Sequence, residues 1–256
     1  MEVFMTKRIL ITGATAGIGR ATLEKFYQEG FHILACDINV EEGSKLSNIY
    51  GAQVDFIELD VTNENKWKSL QRYIHDKDFQ IDVLFNNAGI FVMNDIATTT
   101  EKEYQAMFDI NVKGSFLALK YIAPIMYKQE NGSIINASSN ATFFGAKGLG
   151  IYGATKGAIR TLTKNAAMEF APYVRVNSIH PGYIQTQMIE YAAQKSNKTP
   201  QDQAKYVPLK RLGRPEEIAS LVYYLGSEEA SYITGSEMVI DGGVSSGQSI
   251  WEEEHC

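Results

Sequence analysis

The stretch NASSNATFFGAKGLGIYGATKG, residues 136–157, places five hydroxyls (Ser138, Ser139, Thr142, Tyr152 and Thr155) beside two lysines, Lys147 and Lys156. Tyr152 and Lys156 are four positions apart, and on a helix such positions share a face. A free phenol titrates near pH ~10 and a lysine near ~10.4. For the phenol to act as a base near neutrality its pKa must fall by about 3, on the order of 4 kcal/mol. A nearby ammonium favours phenolate and supplies part of that. Ser139 lies 13 residues before Tyr152, at the end of a strand-like run. A hydroxyl there can hold a substrate oxygen and stabilise developing alkoxide. Spacing alone equally describes a surface Tyr–Lys pair and a capping serine, and that plainer reading stands until the rest of the chain is considered. Lys147 falls among glycines and reads as solvent-facing.

A second group of residues bears on phosphate. TGATAGIG, 12–19, follows an apolar run and opens a helical pattern. Gly13, Gly17 and Gly19 lack Cβ atoms, which lets backbone turn tightly and approach a pyrophosphate. The helix start then offers free N–H groups. The spacing is GxxxGxG rather than GxGxxG, and a glycine-rich turn also arises for steric reasons alone. Asp37 ends the second apolar run, 18 residues after Gly19. A carboxylate there can accept both hydroxyls of an adenine ribose and repels a 2′-phosphate. No Arg or Lys occupies 14–16 or 38–40, so NAD is favoured over NADP.

The elements that must position these groups are short apolar runs alternating with helical patterns. The runs are RILIT (8–12), FHILACD (31–37), VDFIELD (54–60), IDVLFNN (81–87), SIINASS (133–139), VRVNSIH (174–180) and EMVIDGG (237–243). Most are apolar throughout, as in strands buried on both faces of a parallel sheet. Between them, Thr22 to Glu29 puts Leu23, Phe26 and Tyr27 on one face, and Glu101 to Tyr127 is the longest helical pattern. The alternation predicts an α/β fold: a single doubly wound Rossmann domain over residues 5–246, with a seven-stranded parallel sheet flanked by helices. The polar segment 194–206 suggests a mobile substrate lid over about 187–210. Residues 247–256 read as a C-terminal tail.

Composition narrows the class. Of 256 residues, 45% are hydrophobic and 21% charged, with a net charge of −6, as in ordinary soluble domains. Without a Lys/Arg cluster, nucleic acid is not an expected partner. No run is long enough to span a membrane, no signal peptide is read, and a cytoplasmic location is expected. Cys36 reads as a buried hydrophobe and Cys256 as terminal. His32, His75 and His255 lack ligand-spaced partners, so no metal is expected, and His180, before Pro181, reads as structural.

Taken in order, TGATAGIG, Asp60-Val61, NNAG at 86–89, Asn111 in NVKGSF, Ser139, YGATK at 152–156, PGYIQT at 181–186 and the closing Asp241-Gly242-Gly243 resemble a short-chain dehydrogenase/reductase of the NAD-dependent type. The resemblance runs from about Lys7 to Gly243. It implies strand order 3-2-1-4-5-6-7 and a homotetramer or homodimer built through the helices containing Asn111 and Tyr152. It implies cofactor contacts at Gly13, Ala16, Gly17, Ile18, Gly19, Asp37, Asp60, Val61, Asn87, Ala88 and Gly89, and at Tyr152, Lys156, Pro181, Gly182, Ile184 and Thr186. It selects the second serine of the pair, Ser139, leaving Ser138, Thr142 and Thr155 structural. It also implies that the Asn111 backbone carbonyl holds a water bonded to Lys156. The catalytic set is then Asn111, Ser139, Tyr152 and Lys156.

The activity so implied is interconversion of a secondary alcohol and a ketone by hydride transfer, with Tyr152 as general base or acid. Expected pocket residues are Phe91, Val92, Met93, Ala141, Phe143, Phe144, Leu149, Tyr183, Met188 and Tyr191, of which about half should touch substrate. This apolar set suits a small neutral alcohol or ketone, cyclic ones included. Two other readings remain open: an NADPH-dependent 3-oxoacyl reductase, which Asp37 disfavours, and a non-enzymatic nucleotide-sensing regulator, which retention of Ser139, Tyr152 and Lys156 disfavours.

Overall fold

The structure is a computed structural model that describes residues 6–247. Met5, at the expected start of the domain, and the tail from 248 onward, with His255 and Cys256, lie outside the described residues. The elements run β1 (Arg8–Thr12), α1 (Gly17–Gln28), β2 (His32–Asp37), α2 (Val40–Tyr50), β3 (Val54–Glu58), α3 (Glu64–Asp76), β4 (Val83–Asn86), α4 (Glu101–Met107), α5 (Gly114–Lys128), β5 (Gly132–Ala137), α6 (Gly150–Phe170), β6 (Val174–Pro181), α7 (Gln187–Lys195), α8 (Pro200–Ala204), α9 (Pro215–Gly226) and β7 (Glu237–Ile240). The strands form one sheet in the order β3-β2-β1-β4-β5-β6-β7, every pair parallel.

Apolar strands have a simple cause here, since both faces of the sheet are covered. Leu10, Leu34, Leu84, Ile134 and Val176 point to the layer of α3, α5 and α6, where Trp67, Leu117 and Ala166 meet them. Their neighbours Ile9, Ile11, Ile33, Phe85, Ile135 and Ile179 point to α1, α2 and α9, against Leu23, Phe26, Leu46 and Val222. Successive side chains alternate across a strand, so two apolar layers require an unbroken apolar run.

The runs read from sequence overshoot several strands. Asp60, Asn87, Ser138, Ser139 and Asp241 lie beyond the carboxyl ends of β3, β4, β5 and β7, where an open α/β sheet binds ligands. The strand order reverses between β1 and β4, and the resulting crevice is where the glycine turn and Asn87 meet. The helical pattern of 101–127 is one path but not one regular helix. A π-helical turn, Phe108–Lys113, separates α4 from α5 and contains Asn111.

Candidate active site

The glycine turn is held by close backbone contact. Gly13 and Gly17 have φ of +67° and +52°, and a Cβ on Gly19 would lie 1.9 Å from the Gly13 carbonyl oxygen. Thr12 Oγ1 accepts from the amides of Asn87 at 2.9 Å and Ala88 at 3.0 Å, and Asn87 Nδ2 donates to the carbonyls of Thr12 and Gly13. At the end of β2 the Asp37 carboxylate accepts from Thr15 N at 3.0 Å, Thr15 Oγ1 at 2.8 Å and Asn39 N at 3.0 Å. Asp60 accepts from Thr62 N and Oγ1, and Val61 packs against Gly114.

The other corner gathers Ser139, Tyr152 and Lys156. Ser139 is the first residue after the buried end of β5 and Ser138, and it caps a short 3-10 turn, Asn140–Thr142. Its Oγ accepts from Ala141 N at 3.2 Å. With an acceptor position used by that amide, the hydroxyl hydrogen is available to the Tyr152 phenol, whose pKa Ser139 lowers. Tyr152 lies in the first turn of α6 with Lys156 one turn on, and all three side chains are buried. Lys156 Nζ donates to the Ala137 carbonyl at 2.9 Å and sits 5.8 Å from the Tyr152 ring centre.

Burial displaces both titrating groups. It pushes the Tyr152 phenol up to about 12, with the Ser139 hydrogen bond opposing it in part. It pushes the Lys156 ammonium down to about 8. The expectation of a phenol lowered toward neutrality by Lys156 is therefore not met in the chain itself. Taking a proton off a low-dielectric phenol costs more than the neighbouring groups return.

Asn111 is wholly buried within the π-helical turn. Its Oδ1 accepts from Ile90 N at 2.8 Å, and its Nδ2 donates to Ile90 O and to Thr155 Oγ1, both at 3.0 Å. The backbone carbonyl accepts from Ser115 Oγ at 2.6 Å. Ser138 Oγ donates to the Lys156 carbonyl, Thr155 Oγ1 to the Tyr152 carbonyl and Thr142 Oγ1 to the Ser139 carbonyl. Each of the three hydroxyls read as structural thus ties down the backbone of a candidate catalytic residue.

Between the two corners lies a cleft of about 260 Å³. Of the expected cofactor residues, Ile18, Asn87, Gly89, Tyr152, Lys156, Pro181, Gly182, Ile184 and Thr186 line it. Gly13, Ala16, Gly17, Gly19, Asp37, Asp60, Val61 and Ala88 lie outside that lining, as does Asn111. Of the expected pocket residues Phe91, Met93, Ala141, Phe144, Leu149, Tyr183 and Met188 line the cleft. Phe91 meets the Tyr152 ring edge-on, with centres 4.9 Å apart. Val92, Phe143 and Tyr191 do not line it. Phe143 lies against His180, and Tyr191 packs behind Phe91.

The segment expected as a lid folds into α7 and α8, and Ile189, Ala192 and Gln203 from it wall the cleft. Its polar composition hid that wall, because only one face of α7 carries apolar side chains. Other contacts had no sequence signal: Asn140 Nδ2 to Asp241 Oδ2 at 3.3 Å, and the loop pairing of Asn94 N with the Gly148 carbonyl at 3.0 Å. That pairing braces FFGAKGLG, and Lys147 on the loop is exposed, 3.6 Å from Asp95.

The site residues fit a dinucleotide. The glycine turn leaves room that any Cβ would fill, and Lys156 Nζ has three N–H donors with Ala137 O as its one acceptor among the described residues. The family model described as enoyl-(acyl carrier protein) reductase matches residues 13–245. The chain belongs to the short-chain dehydrogenase/reductase family. Curated relatives include the 3-oxoacyl-(acyl-carrier-protein) reductase FabG of Thermotoga maritima, 38% identical over 93% of this chain and 97% of the relative. The cyclopentanol dehydrogenase of Comamonas sp. strain NCIMB 9872 is 37% identical over 93% of this chain and 96% of its own. The structure of ElxO with NADP bound superposes with a TM-score of 0.89 at 31% identity, covering 95% of this chain and all of that one. This short-chain dehydrogenase/reductase is thus an oxidoreductase that uses a nicotinamide cofactor. No helix among the described residues is long and apolar enough to cross a membrane.

Proposed function

We propose that the protein interconverts a secondary alcohol and a ketone with NAD(H). The observation that carries this reading is the convergence of the Ser139 hydroxyl, the Tyr152 phenol and the Lys156 ammonium on one apolar cleft. When bound, a nicotinamide cofactor would supply the hydride-transfer chemistry between carbinol and carbonyl carbon. Tyr152 Oη exchanges the proton with the substrate oxygen, and Ser139 Oγ holds that oxygen as its charge develops. Lys156 would hold a cofactor ribose with its remaining N–H groups and, when charged, favours phenolate. Bringing the phenol from about 12 to neutrality takes on the order of 7 kcal/mol. A charged Lys156 supplies part of it, and an oxidised nicotinamide would add to it. Asn111 keeps the proton path to Lys156 through its π-turn carbonyl, which it shares with Ser115 Oγ.

For the coenzyme, Asp37 supports NAD. Its carboxylate is pinned beside the turn by Thr15, where a 2′-phosphate meets like charge. The rival is NADPH, supported by the bound NADP of ElxO and by the FabG relative, whose 3-oxoacyl chemistry is the second reading of the site. A titration of NADH against NADPH decides between them, and tighter NADPH binding rejects the NAD assignment. The lining of Phe91, Met93, Phe144 and Leu149 supports a neutral, compact alcohol or ketone. A panel of such compounds followed by NADH absorbance tests it. Tyr152→Phe is expected to lower turnover at least about 10³-fold with NAD binding intact; near wild-type turnover would sink the scheme. Exposed Tyr104, Phe116 and Met168 support a homodimer or homotetramer through α4, α5 and α6, to be tested by light scattering.

A further inference from the structure

His180 is the penultimate residue of β6, with no exposed surface, and no step above uses it. Its Nδ1 lies 3.0 Å from the Ser139 carbonyl oxygen and 3.2 Å from Thr142 Oγ1, and its Nε2 lies 2.9 Å from Ser178 Oγ. A carbonyl oxygen only accepts, so Nδ1 carries the proton. Ser178 Oγ then donates to Nε2, and the neutral ring is fully satisfied. Burial lowers the His180 pKa. The Ser139 bond and Glu237 oppose that, while Arg160 and Lys156 add to it. Phe143 covers the imidazole at 4.8 Å, Arg160 lies over Phe143 at 4.8 Å, and Glu237 holds Arg160 at 2.8 Å.

Three donors therefore converge on one carbonyl: His180 Nδ1, Thr142 Oγ1 at 2.9 Å and Thr142 N at 3.3 Å. The residue that owns that carbonyl also owns the hydroxyl that shares the cleft with the phenol and lowers its pKa. Swinging the Ser139 backbone would swing its Oγ off Tyr152. We propose that His180 is a positioning residue that holds the Ser139 carbonyl and so aims the Ser139 hydroxyl at the Tyr152 phenol. The proposal rests on the assignment of Ser139 and Tyr152 to proton transfer made above.

Two polar replacements separate aiming from folding. The amide nitrogen of Asn reaches the place of Nδ1, whereas that of Gln reaches the place of Nε2 and leaves the Ser139 carbonyl without this donor. His180→Asn is expected to keep kcat within about threefold of wild type. His180→Gln and His180→Leu are expected to lose about tenfold in kcat, less than deletion of an oxyanion donor. NADH affinity stays unchanged, and the kcat/KM profile moves to higher pH, because the Ser139 bond is what lowers the phenol. Equal kcat and equal pH profiles for the Asn and Gln variants would overturn the proposal. Crystal structures of the same variants supply a readout independent of turnover. Ser139 Oγ should leave the phenol in His180→Gln and stay in His180→Asn, and an unmoved Ser139 in both overturns the proposal. Absence of wild-type turnover on every alcohol and ketone would instead reject the function proposed above, while the crystal structures still decide the role of His180.

Discussion

Around the β1–α1 turn the polar groups that shape it are partnered. Thr12 Oγ1 serves two amides, Asn87 Nδ2 serves two carbonyls, and Asp37 takes three donors. At the Ser139–Tyr152–Lys156 corner, by contrast, a lysine is buried on one carbonyl and held down at about 8, and a phenol is pushed up to about 12. The first region is made of backbone and small residues in satisfied geometry, so it stabilises the fold while leaving a shape for a ligand. The second keeps ionisable groups out of water, which costs stability, and holds them for a charged ligand and a reacting oxygen. One cleft thus joins a rigid, saturated half to a destabilised half.

The comparison breaks most readily at Gly19. Gly19→Ala puts a methyl 1.9 Å from the Gly13 oxygen, so the turn must open. A loss of about 3 kcal/mol in urea unfolding is expected, with loss of NADH binding by calorimetry. A variant as stable as wild type would show that the turn is not rigid.

Lys156→Met tests the other half. The folded pKa of about 8 is below the 10.5 of a solvated lysine, so between those values unfolding takes up a proton and stability rises with pH. Below pH 8 the penalty is present in full, about 3 kcal/mol. Removing the charge should therefore raise Tm by about 5 °C at pH 7, with the gain vanishing toward pH 10.5 and turnover lost. A lower Tm at pH 7 would mean that this corner, too, is built for stability.

The smallest effect is expected at Asp37. Asp37→Ser removes the anchor of Thr15 for about 1 kcal/mol and should shift the NADPH-to-NADH affinity ratio by about tenfold toward NADPH. An unchanged ratio would remove Asp37 from coenzyme selection.

Much of this was legible before any coordinates. The sheet was, because a strand covered on both faces must be apolar along its length, and RILIT or VLFN can hardly be anything else. Ser139, Tyr152 and Lys156 were legible through ordered motifs and the i, i+4 spacing. The segment 187–210 was legible as a substrate-side element but not as helices walling the cleft, since α7 is amphipathic and its polar residues dominate the count. The burial of Asn111 was not legible because a regular helical period cannot show a π-turn, where an inserted residue shifts the face that is buried.

The amino-acid sequence by itself determined the strand–helix alternation, the glycine turn, the acidic end of β2 and the candidate catalytic side chains, since each is a local pattern of residue type and period. Tertiary structure alone decided their ionisation and aim. Whether Lys156 is solvated or buried and that His180 grips the Ser139 carbonyl both depend on residues dozens of positions apart meeting at the ends of β5 and β6. Desolvation and hydrogen-bond direction are properties of that meeting, and no local pattern encodes them.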